Sequence, residues 1–448
     1  MKRSAWRYLW KSEDIRKKLL ITLLILVLYR LAANIPVPGV DRSVIQTLAQ
    51  SGGAAGNLFG LLDLLSGGAV SNFSILAMGV YPYITAQIII QLLTPIIPAL
   101  ERKLKDNPRE GQKFMERWTV ILTVPMALLS AVGQINIFNS MSISGGGGAI
   151  MRFGFSGDLL LPTIATLISM VAGTMMGVWL GQLISEYGIP NQGLSLIIFA
   201  GIVSNIPSSL GAILSDQQNG WWLFILVVVI LLLTIFAIVF VQQGRRNVPV
   251  LFPGRRIGNR QSMPVRSSLP LMVNMAGMIP LIFASSFLAF PAIVASYFVN
   301  SEAEWVRNLA MGITTNFGGG TSIWYSLTYF ILVVVLTFFY TDVLFSQQNY
   351  GENLKRQGAQ IPGVSRGAPT QKYLTRVQRR ITMPGALFLG LVAVLPYLLG
   401  MVLPLNTSRI FLVSSAGLLI VVGVVRDTFN IIETELKLHG YDESLIKG

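Results

Sequence analysis

The sequence predicts an all-α polytopic membrane protein. Ten transmembrane helices are expected, in two inverted five-helix halves, with one short extra helix. Three observations carry this. Apolar runs near 20 residues recur from end to end, each enough to cross roughly 30 Å of hydrocarbon as a helix. Only 12% of the 448 residues are charged and 52% are hydrophobic, whereas a soluble domain carries about 25% charged residues. The basic residues fall almost entirely in alternate loops.

The spans run 18–36, 72–94, 118–138, 160–184, 194–212, 221–243, 269–291, 322–342, 384–404 and 409–426. The N-terminal segment, the loops after spans 2, 6 and 8, and the C-terminal tail together hold 29 of the 34 Lys and Arg; the opposite loops hold Arg42, Arg152, Arg307 and Arg409. The positive-inside rule therefore puts both termini in the cytoplasm. The N-terminus is polar and basic and leads straight into a full-length span, so no cleavable signal peptide is expected. Ten spans divide at 215/216 into halves 1–215 and 216–448. Five is odd, so the halves point in opposite directions, and such inverted repeats place the functional path between them.

Several stretches are more than plain spans. Residues 57–71, "NLFGLLDLLSGGAVS", hold too short an apolar run to cross, about 15 Å of helix. They form either an interfacial amphipathic helix or a half-helix folded into the protein's centre on glycine hinges. Residues 144–148, "SGGGG", make a flexible external loop tip with no assigned function. Span 2 carries "MGVYPYITAQIIIQLL", with Pro82 expected as a mid-span kink and Thr85 and Gln87 beyond it. Span 7 carries "VNMAGMIPLIFASS", with an amide, a proline and small residues that a lipid anchor does not need. Two helices of this kind can meet through small polar groups and part again. Two basic cytoplasmic loops, 244–268 and 343–383, exceed what topology requires. They serve attraction to anionic lipid or docking of something acidic, such as ribosomal RNA or a soluble motor.

Much chemistry is excluded. There are no cysteines and one histidine, His439, so disulfides, thiolate sites and histidine-based centres fall away. No Asp, Glu, Lys or His sits in the middle of a span, and Arg30, near a helix end, is the one intramembrane charge. A coupled small-solute transporter with inverted repeats would need ionisable groups at mid-depth. A membrane transferase acting on a lipid-linked substrate would need acidic residues in a lumenal or cytoplasmic pocket, and the sequence offers only scattered acids such as Asp158. No GxxxxGK[ST] phosphate loop is present. The chain is expected to be no enzyme and to need no cofactor or metal, a passive conduit whose energy comes from partners.

With these residues on the page the chain resembles the SecY/Sec61-alpha family, the channel-forming subunits of protein-secretion translocons. The resemblance covers essentially the full length. It rests on "YRLAANIPVPGVD" (29–41), "LFGLLDLLSGGAVSNFSILAMGVYPYITAQIIIQLLTPIIP" (58–98), "GIPNQGLSLIIFAGIV" (188–203), "LPLMVNMAGMIPLIFASSFLAFP" (269–291), "NLKRQGAQIPGVSRG" (353–367) and "ELKLHGYDESLIKG" (435–448). It implies a clamshell of two halves around an hourglass pore, hinged between spans 5 and 6 and opening to lipid between spans 2 and 7. Thr85 and Asn274 are then the lateral-gate pair. Val80, Ile84, Ile198, Ile282 and Ile420 are the aliphatic pore ring, which excludes ions because it offers them no substitute for water. Leu61, Leu62, Asp63, Leu64, Leu65, Ser66, Gly67 and Gly68 form the plug.

The same resemblance implies partners: SecE and SecG subunits, the SecA motor ATPase, the ribosome and its RNA, signal sequences, unfolded preproteins and membrane lipid. Arg245, Arg246, Arg255, Arg256, Arg260 and Arg366 are the docking residues. The expected location is a bacterial plasma membrane. Two departures stand out. Where the family commonly has Pro-Gly-Ile-Arg-Pro-Gly, this chain has Pro362-Gly363-Val364-Ser365-Arg366-Gly367, which moves the arginine by one position. On span 3, Leu129 takes the place of a polar gate residue.

Overall fold

The computed structural model describes residues 12–40, 69–70, 73–94, 97–98, 100, 102, 108–144, 154, 157–214, 220–252, 256–257, 260–261, 265–296, 298, 303–317, 323–402 and 415–438. The expected plug residues 61–68, Arg255 and the loop tip 145–148 lie outside the described residues. The helices are α1 (Glu13–Ala32), α2 (Tyr81–Leu93), α3 (Pro108–Ser144), α4 (Leu160–Tyr187), α5 (Gly193–Leu214), α6 (Gly220–Gln243), α7 (Ile279–Ser296), α8 (Glu304–Phe317), α9 (Ile323–Gln347), α10 (Tyr350–Arg356), α11 (Ala368–Val402) and α12 (Ser415–Leu438). A helix stands in each stretch read as a span. Among the described residues, four stretches are long and apolar enough to cross a membrane: Glu110–Asn136, Leu160–Tyr187, Phe224–Gln243 and Ile323–Arg356.

Two helices start later than their apolar runs. Span 2 is expected from 72, but α2 begins at Tyr81. Pro82 therefore sits in its first turn, not at a kink. A proline there forfeits no hydrogen bond, because the first N–H groups of a helix have no intrahelical partner. Span 7 is expected from 269, but α7 begins at Ile279, with Pro280 second.

The chain forms two compact units. The first gathers Met1–Val228, Leu288–Tyr325 and Pro396–Gly448; the second gathers Val229–Phe287 and Ser326–Leu395. In the first, α1 has Glu13 and Asp14 in its opening turn and Arg30 in its last, matching the helix dipole. Its Leu20, Leu23, Leu24, Val27, Leu28 and Leu31 are exposed, while Ile15, Thr22, Ile25, Tyr29 and Ala32 are buried. An apolar face turned outward is what a helix bathed in lipid requires. With no hydrophobic drive between helices, association depends on close packing of small residues. The helix α4 supplies these as Gly173, Gly177 and Gly181, spaced four apart. A Cβ on Gly173 would lie 1.9 Å from the Ile75 carbonyl oxygen, and one on Gly181 2.7 Å from Leu194 Cδ2.

The segment 73–80 is non-helical, and it is held between α3 and α4. Phe73, Ala77 and Met78 share a buried cluster with Ala127, Ala131 and Ile135 of α3 and Leu167 and Met170 of α4. Its backbone is satisfied by the chain after α1 and by itself. Val37 N–H donates to the Phe73 carbonyl (3.1 Å) and Ile75 N–H to the Ile35 carbonyl (3.0 Å). Leu76 N–H donates to Ser74 Oγ at 3.2 Å.

The second unit departs from an all-helical expectation. Arg245–Phe252 (β1) pairs antiparallel with Val265–Met272 (β4), and Arg256–Ile257 (β2) with Arg260–Gln261 (β3). The alternation in "VPVLF" is a strand signal that prolines and arginines obscure. Val248, Val250 and Leu271 from this hairpin form one core with Phe345, Leu354, Ala359, Ile361 and Leu374. Leu251 and Gln360 exchange backbone hydrogen bonds of 2.8 and 2.9 Å. The two basic loops are thus one folded body.

Gly173→Ala is expected to destabilise the protein by about 1–3 kcal/mol, because a rigid carbonyl blocks the new methyl. Gly312→Ala, where a Cβ meets nothing within 4 Å inside α8, should instead stabilise by roughly 0.5–1 kcal/mol through helix propensity. Thermal unfolding in detergent reads both; equal midpoints would show that the α4 contact does not hold segment 73–80.

Candidate functional site

The late starts of α2 and α7 share one construction. Gly79 (φ +54°) and Gly277 (φ +63°) each occupy the left-handed region, which costs an ordinary residue about 1–2 kcal/mol. In both cases the helix begins two residues later and its second residue is proline: Gly79-Val80-Tyr81-Pro82 and Gly277-Met278-Ile279-Pro280. Two residues past each proline stands an expected ring member, Ile84 and Ile282. A Gly-x-x-Pro-x-Ile pattern therefore occurs twice, in spans numbered five apart. It was visible in the sequence as a repeat, and the kink reading of Pro82 hid it.

The other residues expected in the ring are placed as follows. Val80 is 1% exposed and packs by its Cγ1 against the Gly177 position of α4. Ile84 is half-buried. Ile198 lies on α5 and Ile420 on α12, both buried, and these two helices pack together. These four belong to the first unit and Ile282, buried on α7, to the second.

The residues expected at the gate hydrogen-bond locally. Asn274, 5% exposed, precedes α7. Its Oδ1 accepts from Gly277 N–H at 2.9 Å and its Nδ2 donates to the Gly277 carbonyl at 3.2 Å. Both polar ends grip the main chain of the residue that turns left-handed. Thr85 Oγ1 donates to the Tyr81 carbonyl at 3.1 Å and Ser285 Oγ to the Ile282 carbonyl at 2.9 Å. Leu129 is exposed, on the side of α3 away from the buried Ala127 and Ala131.

The expected docking residues divide. Arg245 and Arg246 open β1 and are exposed. Arg256 and Arg260 lie in the short β2–β3 pair. Arg366 is exposed just past a tight turn in which Val364 N–H donates to the Ile361 carbonyl (3.1 Å) and Gly363 has φ +79°. That geometry puts Pro362 and Gly363 where a type II turn wants them. Beside it lies a cavity of about 740 Å³ lined by Asn349, Glu352, Gly367, Ala368, Gln371, Lys372, Thr375, Arg376, Arg379 and Arg380. Sequence reading took these cations as loop charge. They recur at i, i+4, i+7 and i+8 on α11, and that spacing was the signal. Arg379 pairs with Asp342 at 2.9 Å. No group of three metal-ligating side chains occurs among the described residues.

Comparison with known proteins identifies the family. Residues 74–429 match the SecY family. The chain is 38% identical over 444 residues to the protein translocase subunit SecY of Streptomyces galbus, covering 98% of this chain and 99% of that one. It is 35% identical over 454 residues to the corresponding subunit of Chlamydia trachomatis, covering 98% of each. Among solved structures it resembles a SecY studied for the plug domain that stabilises its closed state (TM-score 0.62, 17% identity, 98% of this chain and 99% of that one). It also resembles a protein-conducting channel (TM-score 0.59, 17% identity, the same coverage). At that identity the structural likeness speaks for the fold.

Gly277→Val should lower stability by about 1–2 kcal/mol through backbone strain alone, since a Cβ there meets nothing within 4 Å. Gly277→Asn should cost less, because asparagine tolerates the left-handed region. Thermal midpoints for the two variants that coincide with the parent would contradict the left-handed turn.

Proposed function

The chain belongs to the SecY family of protein translocase subunits, and from that premise we propose that it forms the protein-conducting channel of a Sec translocon. It passes unfolded secretory proteins across the membrane and releases apolar segments sideways into lipid. The observation that carries this is the doubled Gly-x-x-Pro-x-Ile start of α2 and α7. Two inverted five-span halves, 1–215 and 216–448, would repeat a device at this offset. Each break would bring one isoleucine to the pore waist, where Val80, Ile198 and Ile420 complete an aliphatic ring.

The ring acts by dewetting. Its side chains give an ion nothing to replace its hydration shell, yet they move aside for a polypeptide. Leu61 to Gly68 seal the external funnel as the plug at rest. Thr85 and Asn274 latch the gate between α2 and α7. Each keeps spare hydrogen-bonding capacity beyond its local partner, a second amide N–H on Asn274 and a lone pair on Thr85. The latch therefore forms without breaking either local hydrogen bond. Such a bond across a membrane interface is worth roughly 0.6–2 kcal/mol, weak enough for an arriving signal sequence to displace.

Partners supply the energy, since the SecY family is a channel family. SecE and SecG complete the complex. SecA or the ribosome docks on the second unit's folded loops, through Arg245, Arg246, Arg255, Arg256, Arg260 and Arg366, with ribosomal RNA meeting the basic surface. The shift from Ser365 to Arg366 moves the motor contact by one residue. The setting is a bacterial plasma membrane, crossed ten times, with both termini cytoplasmic.

The absence of cysteine permits a direct test. Single cysteines at Ile282, at Asn274 and at the lipid-facing Phe236 of α6, which is 71% exposed, are offered to a secretory preprotein with one cysteine, stalled in transit. Disulfide adducts are expected at Ile282 and Asn274 and not at Phe236. A preprotein that reaches the far side without adducts at either site would mean that another protein forms the conduit.

A further inference from the structure

The helix α8, between α7 and α9, is a short amphipathic element that the ten-span reading leaves without a role. Most of its apolar residues occupy one arc, from Trp305 through Leu309 and Ile313 to Ala310, with Met311 the exception. Glu304, Arg307 and Asn308 lie on the opposite arc. The protein covers only part of the apolar arc. Ala310 is buried, while Trp305 is 74% and Leu309 57% exposed. Burying the other edge fixes the helix's rotation, so these two side chains are held outward.

Connectivity restricts what they meet. Five residues separate Phe317 from Ile323 at the start of α9, a link that reaches at most about 20 Å. On the topology of the channel reading, on which this inference rests, α9 starts at the external membrane surface. Its Trp324 is 67% exposed, and Trp221 at the external start of α6 is 74% exposed. Tryptophan gathers at this depth, where an apolar ring with one polar N–H suits the headgroup boundary. Trp305 continues that belt.

We propose that α8 lies flat on the external membrane surface with Trp305 and Leu309 sunk into the outer leaflet, making it a lipid anchor between the gate helix α7 and α9. The polar arc then faces water. An in-plane helix of this kind buries its apolar side about 5–10 Å into the headgroup boundary.

The test uses the whole complex in vesicles of phosphatidylcholine and phosphatidylglycerol. Trp305→Cys, Leu309→Cys and Asn308→Cys are each labelled with an environment-sensitive nitrobenzoxadiazole dye. Doxyl-labelled phosphatidylcholine is expected to quench positions 305 and 309 about threefold more than 308, as an in-plane helix requires. Iodide added on the external side should give the reverse order. External iodide reaching 305 and 309 as readily as 308 would overturn the anchor, with α8 standing in water. Shielding of 305 and 309 from both quenchers would overturn it too, with protein as the cover. Quenching of 308 by iodide from the cytoplasmic side alone would instead overturn the topology, a distinct failure.

Discussion

A backbone amide inside hydrocarbon must find a partner within the protein, and this constraint governs the molecule. Unsatisfied, it costs several kcal/mol. Helices meet the constraint automatically, so a helix that starts late has to be compensated. The helix α2 has 13 residues, about 20 Å of rise, short of a crossing. The remainder is the turn segment 73–80, whose peptides are bonded to 35–37, to Ala69 and to one another. Gly173 brings α4 against its backbone. Before α7 the same debt is met more locally, by Asn274 gripping both the N–H and the carbonyl of Gly277.

The two kinds of core follow the two solvents. In the first unit the closest approaches to α4 are made at glycines, as at Gly173 and Gly181, because lipid gives no reward for hiding leucine and close packing must hold the helices instead. The helix α4, half buried along its apolar window, carries the glycine stripe; α6, whose apolar window is only 17% buried, is apolar all round. The folded loops of the second unit are built as a soluble protein is, with valine and leucine inside and arginine outside.

The helices were legible because a run of apolar residues has one stable backbone in lipid. Their starting points were less so. Hydropathy does not distinguish a buried turn from a helix, so Pro82 was assigned to a kink and Asn274 to the middle of a span. The β1–β4 hairpin was obscured because arginines and prolines mask the alternation of Val248 and Val250. Nothing in one-dimensional spacing says that Leu251 will pair with Gln360. The Gly173, Gly177 and Gly181 stripe and the doubled Gly-x-x-Pro-x-Ile were present in the sequence as spacings. Their meaning depended on knowing what lay opposite. Residues 61–68, assigned to the plug by resemblance, fall outside the described residues.

The most direct measurement is ion conductance across a planar bilayer, with residues 61–68 deleted so that the waist alone can seal. If Ile84 and Ile282 close the same aperture from two helices, Ile84→Ser with Ile282→Ser should raise the resting leak about tenfold, since hydroxyls rewet a hydrophobic constriction. Leu232→Ser with Phe236→Ser, both exposed on α6, should not. A double variant at the waist that leaks no more than this control would contradict a seal built from the two broken helices.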